Sequence, residues 1–84
     1  MTTNDIANAL RVAGMSAECG LVGANEVVYS DEGDASAELA PHGELVFVEF
    51  YRKGWPDEED SPTATFETID EAVDAVRKWF GKPA

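Results

Sequence analysis

Basic side chains are scarce in this sequence of 84 residues. It holds 6 Lys and Arg against 17 Asp and Glu, so its formal net charge at pH 7 is -11. Nucleic acids and anionic membranes repel such a chain, which excludes either as a partner bound through a basic patch. Hydrophobic residues nevertheless make up 44% of the chain, too many for a disordered acidic segment. We therefore expect one folded domain over residues 1–84.

Cysteine and histidine each occur once, as Cys19 and His42. A single cysteine forms no internal disulfide, which suits a reducing compartment. The first residues lack the basic and apolar regions of a signal peptide, and no stretch reaches the roughly 18 apolar residues of a membrane span. The expected localisation is therefore cytoplasmic. Nothing in the spacing brings Cys19 and His42 together as nucleophile and base, so we expect a buried thiol and an exposed turn histidine.

Motifs for metal or cofactor chemistry are also missing. The acidic runs lack the ligand periodicity of an EF-hand, and one His with one Cys cannot build a structural zinc site. The stretch from Gly20 to Gly23 has no lysine after it, as a phosphate-binding loop requires. The sequence therefore predicts no catalytic residue, no metal and no cofactor. A small enzyme or ligand-binding protein is the least favoured alternative.

Helical periodicity marks the two ends of the chain, and alternation marks its middle. We predict a first helix over residues 4–14, capped by Thr3 or Asn4. The predicted strands cover residues 15–22, 26–30, 35–39, 44–52 and 63–66. The final helix begins at a capping box of Thr68 and Glu71 and ends at Gly81. Short connections favour antiparallel pairing. The expected fold is an α+β two-layer sandwich, with three to five antiparallel strands and both helices on one face.

The strongest strand pattern, residues 44–52, is apolar on both faces. Val46, Val48 and Phe50 alternate on the face expected to meet the helices. The second face carries Leu45, Phe47 and Tyr51, and only Glu49 interrupts it. A strand of this kind is usually central, and its second face is often covered. One open alternative is therefore a homodimer formed through Leu45, Phe47 and Tyr51.

The acidic residues gather in two stretches without any Lys or Arg, residues 12–51 and 54–76. The densest run lies beside two aromatic side chains, and Tyr and Trp next to charge are typical of interface hot spots. A second acidic group occupies a predicted hairpin. The predicted partner-binding residues are Asp57, Glu58, Glu59, Asp60, Tyr51, Trp55, Asp31, Glu32 and Asp34.

In size, acidity and lack of catalytic residues, the chain resembles the small acidic inhibitors that phages encode against host defence, including anti-CRISPR and anti-restriction proteins. No motif carries this resemblance, so it assigns no residue roles. The charge pattern predicts a non-enzymatic module that binds a protein with a basic surface, such as a nucleic-acid-binding complex, and blocks that surface by occlusion or as a nucleic-acid mimic. The alternative is an acidic housekeeping protein, such as one from a halophilic host, that forms the homodimer.

Overall fold

Two helices and five strands make up the chain in a computed structural model, which describes residues 1–54 and 61–82. The strands form one antiparallel sheet in the order β1-β2-β3-β4-β5, so each pairs with its sequence neighbours. Helices α1 and α2 contact each other and pack on the same face of the sheet. The predicted α+β two-layer sandwich is thus confirmed, with five strands. The elements are α1 (Thr3–Val12), β1 (Glu18–Val22), β2 (Asn25–Asp31), β3 (Ala35–His42), β4 (Leu45–Arg52), β5 (Thr63–Phe66) and α2 (Ile69–Trp79).

Helix α1 begins earlier than predicted because its cap is Thr2. The Thr2 hydroxyl accepts a hydrogen bond from the Asp5 N–H at 3.2 Å, and the Asp5 carboxylate accepts one from the Thr2 N–H at 3.0 Å. Thr3, one of the two predicted caps, is instead buried, and its hydroxyl donates to Glu26 at 3.2 Å. These two bonds satisfy the backbone N–H groups of Thr2 and Asp5, which fixes the start of α1.

Helix α2 is capped by Thr68, as predicted. The Thr68 hydroxyl accepts a hydrogen bond from the Glu71 N–H at 3.1 Å. The second bond of the expected capping box differs, since the Thr68 hydroxyl also donates to the Glu71 carboxylate at 3.0 Å. Gly81, at a φ of 73°, ends the last turn, a conformation that glycine adopts without a steric penalty.

The hydrophobic core lies between the two helices and the sheet. Val46, Val48 and Phe50 of β4 point into it, as the alternation predicted, and each is paired across the strands with a residue of β3. Helix residues spaced three or four apart fill the other side of the core. Its fully buried large side chains include Ile6, Leu10, Val28, Leu39, Val46, Val48 and Val76.

Strands β1 and β3 differ in length from the predicted strands. Strand β1 covers only the second half of the predicted 15–22, and Cys19 is exposed. The predicted buried thiol is wrong because β1 is an edge strand, paired on one side only. Strand β3 runs through Pro41 to His42 instead of ending at residue 39. Its pairing with β2 stops at Leu39, so Pro41 interrupts no ladder there.

Candidate functional site

Five of the predicted partner-binding residues, Trp55 and the run Asp57, Glu58, Glu59 and Asp60, lie outside the described residues. The other four lie near one end of the sheet. Asp31 pairs with Ser36 of β3, which pairs in turn with Tyr51 of β4. Glu32 and Asp34 belong to the hairpin that joins β2 to β3.

Within this hairpin, two of the acidic residues have structural contacts. The Asp31 carboxylate accepts a hydrogen bond from the Gly33 N–H at 2.9 Å, which shapes the turn. Glu32 forms an ion pair at 2.9 Å with Lys82, which follows α2. Register partners point to one sheet face, so Asp31 and Tyr51 lie on the same face, opposite to the helices and two strands apart. Glu32 is instead held by Lys82 after α2.

A second surface emerges from the strand register. We call the sheet face opposite to the helices the open face. One row of side chains crosses it from edge to edge, because each member is the register partner of the next. Neighbouring strands lie about 4.8 Å apart, so the row spans about 19 Å. The row consists of Glu18, Tyr29, Glu38, Glu49 and Thr63.

Two carboxylates stand directly opposite each other in the middle of this row. Glu38 and Glu49 are register partners, and the Tyr51 hydroxyl donates a hydrogen bond to Glu49 at 2.6 Å. Partial burial raises the pKa of Glu38, the negative charge of Glu49 raises it further, and hydrogen bonding to Tyr29 lowers it. Burial and the neighbouring carboxylates also raise the pKa of both tyrosines, Tyr29 and Tyr51. The free protein therefore holds two like charges together against their repulsion.

A wide depression of about 750 Å³ lies beside this pair. Apolar side chains from three strands line it: Val27 from β2, Ala40 from β3 and Phe47 from β4. Glu38 and Glu49 are also part of its lining. Polar residues and the start of α1 complete the lining, so the depression is of mixed polarity. On the open face, apolar side chains thus lie beside a paired negative charge.

The basic residues lie elsewhere. Arg52 stacks its guanidinium 4.1 Å above the Trp79 ring of α2, and Lys82 pairs with Glu32. Arg77 and Lys78 pair with Asp74 within α2. Arg11 belongs to α1, and Lys53 lies in the turn after β4. Among the described strands, the open face consequently carries carboxylates and no Lys or Arg.

Trp79 also fixes the end of β4 from the helix side. Its indole N–H donates to the Tyr51 carbonyl oxygen at 3.1 Å, and its ring packs against Phe50 at 5.3 Å between centroids. Phe50 and Arg52 point toward the helices, so Tyr51 between them points to the open face. The packing of α2 therefore orients an aromatic side chain on the opposite surface.

Cys19 and His42 do not meet. Cys19 pairs with the buried Val28 and is close to Asn4 of α1, so it is on the helix side of the sheet. His42 follows Glu38 and Ala40 at intervals of two residues along β3, so its side chain points to the open face as theirs do. In residues 1–54 and 61–82, no group of three or more His, Cys, Asp or Glu side chains is placed to hold a metal ion. Neither described helix is long and apolar enough to cross a membrane.

Sequence reasoning missed the Glu38–Glu49 pair, although each residue was visible as an acid. The signal was the turn between β3 and β4. Pairing His42 with Leu45 across a two-residue turn places Glu38 opposite Glu49 four residues farther along each strand. Comparison of the chain with protein-family models, curated proteins and solved structures gave no match.

Proposed function

We propose that this chain is a non-enzymatic binding module that engages a basic surface of a partner protein and keeps nucleic acid away from it. One observation supports the proposal most: the described strands present carboxylates and no Lys or Arg on the open face. Of the six Lys and Arg residues, three belong to the helices and Arg52 stacks on Trp79 of α2. An acidic face with this organisation attracts a basic surface at long range and speeds the encounter.

The spacing of the charges favours occlusion over close mimicry of a duplex. Duplex DNA presents one negative charge per about 1.7 Å of its axis. The central row of the open face holds three carboxylates, Glu18, Glu38 and Glu49, over about 19 Å. Because this density is several-fold lower than that of DNA, the proposed action is to cover a basic patch. The proposal assigns the chain to the acidic inhibitors of phage origin. In that class, either occlusion or mimicry of a duplex would block the basic surface.

The test is competition between the chain and nucleic acid for a captured partner. The immobilised chain is exposed to nuclease-treated extract of its source cell or, for a phage protein, of the prey cell. The expected partner is basic, binds nucleic acid by itself, and releases it in a mobility-shift assay when the chain is added. Raising the salt concentration should weaken the complex.

A charge-matched control sharpens this assay. A variant with Glu44 and Glu67 changed to Gln loses two negative charges in connecting segments and should still release the nucleic acid. A captured partner that binds the chain and its nucleic acid simultaneously would contradict the proposed blocking action. Capture that is insensitive to salt would contradict its electrostatic basis.

The homodimer alternative has one observation in its favour. Leu45 is 37% exposed, and Phe47 and Tyr51 are half-buried on the open face. A second copy packed on this face would bring further carboxylates against Glu38 and Glu49, which opposes the contact. Light scattering separates the two functions, since the dimer requires a mass of twice 9.1 kDa. A halophilic role predicts loss of secondary structure at low salt, measured by circular dichroism.

A further inference from the structure

We infer that the open face is the contact surface and that its occupant is an arginine-bearing segment of the basic partner, with one guanidinium seated over Glu38 and Glu49. This inference rests on the proposed function and names the site and the chemistry of its partner. It places the contact on the sheet, whereas the predicted site at residues 57–60 lies outside the described residues.

The open face is accessible along its central strands. Away from the ends of β3 and β4, the residues that point to the helices are buried, while the residues between them are half-buried. Tyr29 of β2 is 40% exposed. Since both helices pack on the other face, a segment of a partner can lie across the side chains of the central row.

The charge of this surface selects a cation. Two carboxylates directly opposite each other repel. A positive group placed between them attracts both, and these two attractions offset the repulsion. The Tyr51 hydroxyl already donates to one oxygen of Glu49, which holds that carboxylate in place. Its other oxygen and the carboxylate of Glu38 are acceptors that a guanidinium can bridge.

The apolar part of the depression beside the pair suits the rest of an arginine side chain. Val27, Ala40 and Phe47 line the depression that Glu38 and Glu49 also line. Arg buries its methylene groups along apolar surface while its charged end contacts polar groups. The tyrosine rings of residues 29 and 51 lie on the same face as the carboxylate pair, and a guanidinium stacks on such rings.

These features favour arginine over lysine. A guanidinium has five donors in a planar fork and is less strongly hydrated than an ammonium group, so it loses less on leaving water. A nucleic acid has the wrong charge for this surface. A second copy of the chain would place its own carboxylates against Glu38 and Glu49, and the like charges would repel.

The size of the surface sets the strength of the contact. Strands of eight residues, as in β3 and β4, and a sheet about 19 Å wide give a face of about 500 Å². Burying it removes about 1,000 Å² in total from both partners, which is typical of weak or transient complexes. We therefore expect fast exchange and strong dependence on salt.

The test measures binding of a fluorescein-labelled oligoarginine peptide to the full chain at low salt by fluorescence anisotropy. The variant E38Q/E49Q should raise the Kd about tenfold relative to wild type. The control variant E44Q/E67Q removes the same charge from exposed residues in connecting segments and should change the Kd by about twofold or less. An oligolysine peptide of equal length should bind more weakly than oligoarginine.

Nuclear magnetic resonance adds a readout that needs no variant. On titration of ¹⁵N-labelled wild type with oligoarginine, the largest shift changes should fall on Tyr29, Glu38, Glu49 and Tyr51. If the peptide binds but both double variants weaken it equally, or the shifts map to the helices, the open face is not the site and the proposed function stands. If no basic peptide binds and the captured partner keeps its nucleic acid, the proposed function fails as well.

Discussion

Changing Glu38 to Gln should stabilise the protein, although it alters a residue of the proposed binding face. Gln keeps an oxygen that accepts a hydrogen bond from Tyr29, and it removes the charge that opposes Glu49. Directly opposed side chains have Cβ atoms about 5 Å apart. At that distance two unit charges repel by about 0.8 kcal/mol in water and about 3 kcal/mol at an effective dielectric constant of 20.

The lower end of this range applies, since both side chains are half-buried and open to solvent on one side. Cross-strand pairs of like charge cost up to about 1 kcal/mol, so we expect a gain of about 0.5–1 kcal/mol at pH 7. For a domain of this size, this gain corresponds to a rise in Tm of about 2–8 °C. Thermal unfolding at low salt, followed by circular dichroism, measures it.

The pH dependence provides a second check. The pKa of Glu38 is raised in the folded protein above its ordinary value of 4.5, so protonation favours folding. Wild type gains stability from this group as pH falls through the raised pKa, and Gln cannot. The advantage of E38Q should therefore be largest at pH 7 and vanish near pH 4. Tyr29 and Glu49 lie directly beside Glu38, and Glu18 and Tyr51 lie on the same sheet face. The tyrosines stay neutral throughout this range because their pKa values are raised from 10.0.

The control is E44Q, which removes one charge from an exposed turn residue. An equal gain from E44Q would show that net charge, and not the pair, destabilises the fold. The double variant E38Q/E49Q should gain less than the sum of the two single variants, because either one alone removes the repulsion. Strict additivity, or a loss of stability in E38Q, would show that Glu38 and Glu49 do not repel each other in the folded protein.

Three further changes test the fold. Ser30→Ala should raise the free energy of unfolding by about 1 kcal/mol in urea titrations, because the buried hydroxyl has no hydrogen-bond partner among the described residues; a loss would indicate a partner. Thr68→Ala should lower it by about 1 kcal/mol by removing the cap of α2, whereas Thr68→Ser should preserve it. Gly20→Ala should shift the ring resonances of Tyr29, since the new Cβ would lie 2.7 Å from the ring atom Cε2; unchanged resonances would contradict this packing.

Most of the fold could be predicted because local patterns determine it. The alternation of Val46, Val48 and Phe50 and the cap at Thr68 depend on residues close in sequence. The errors arose where tertiary position decides. Thr3 was an acceptable cap by type, but the contact with Glu26 turns it inward. Cys19 is a residue that is usually buried, but it belongs to an edge strand.

The candidate site was harder to predict because it depends on register. Glu38 and Glu49 are eleven positions apart in the sequence and belong to different strands. Whether they oppose each other is decided by the length of the turn that follows His42, and a shift of one residue would put one of them on the helix side. The placement of Arg52 over Trp79 depends on how α2 docks, which no local pattern encodes.

The order of the strands has a kinetic consequence. Every strand pairs with its neighbour in the sequence. The first three hairpins close loops of only two or three residues, so little entropy is lost before their pairing begins. The contact between α1 and α2 joins opposite ends of the chain and closes the longest loop. If the hairpins form in the transition state and this contact forms after it, variants at the interface between the helices should accelerate unfolding while leaving the refolding rate nearly unchanged. Stopped-flow measurements can then locate the last step of folding in the helix layer, while the sheet and its row of carboxylates are assembled first.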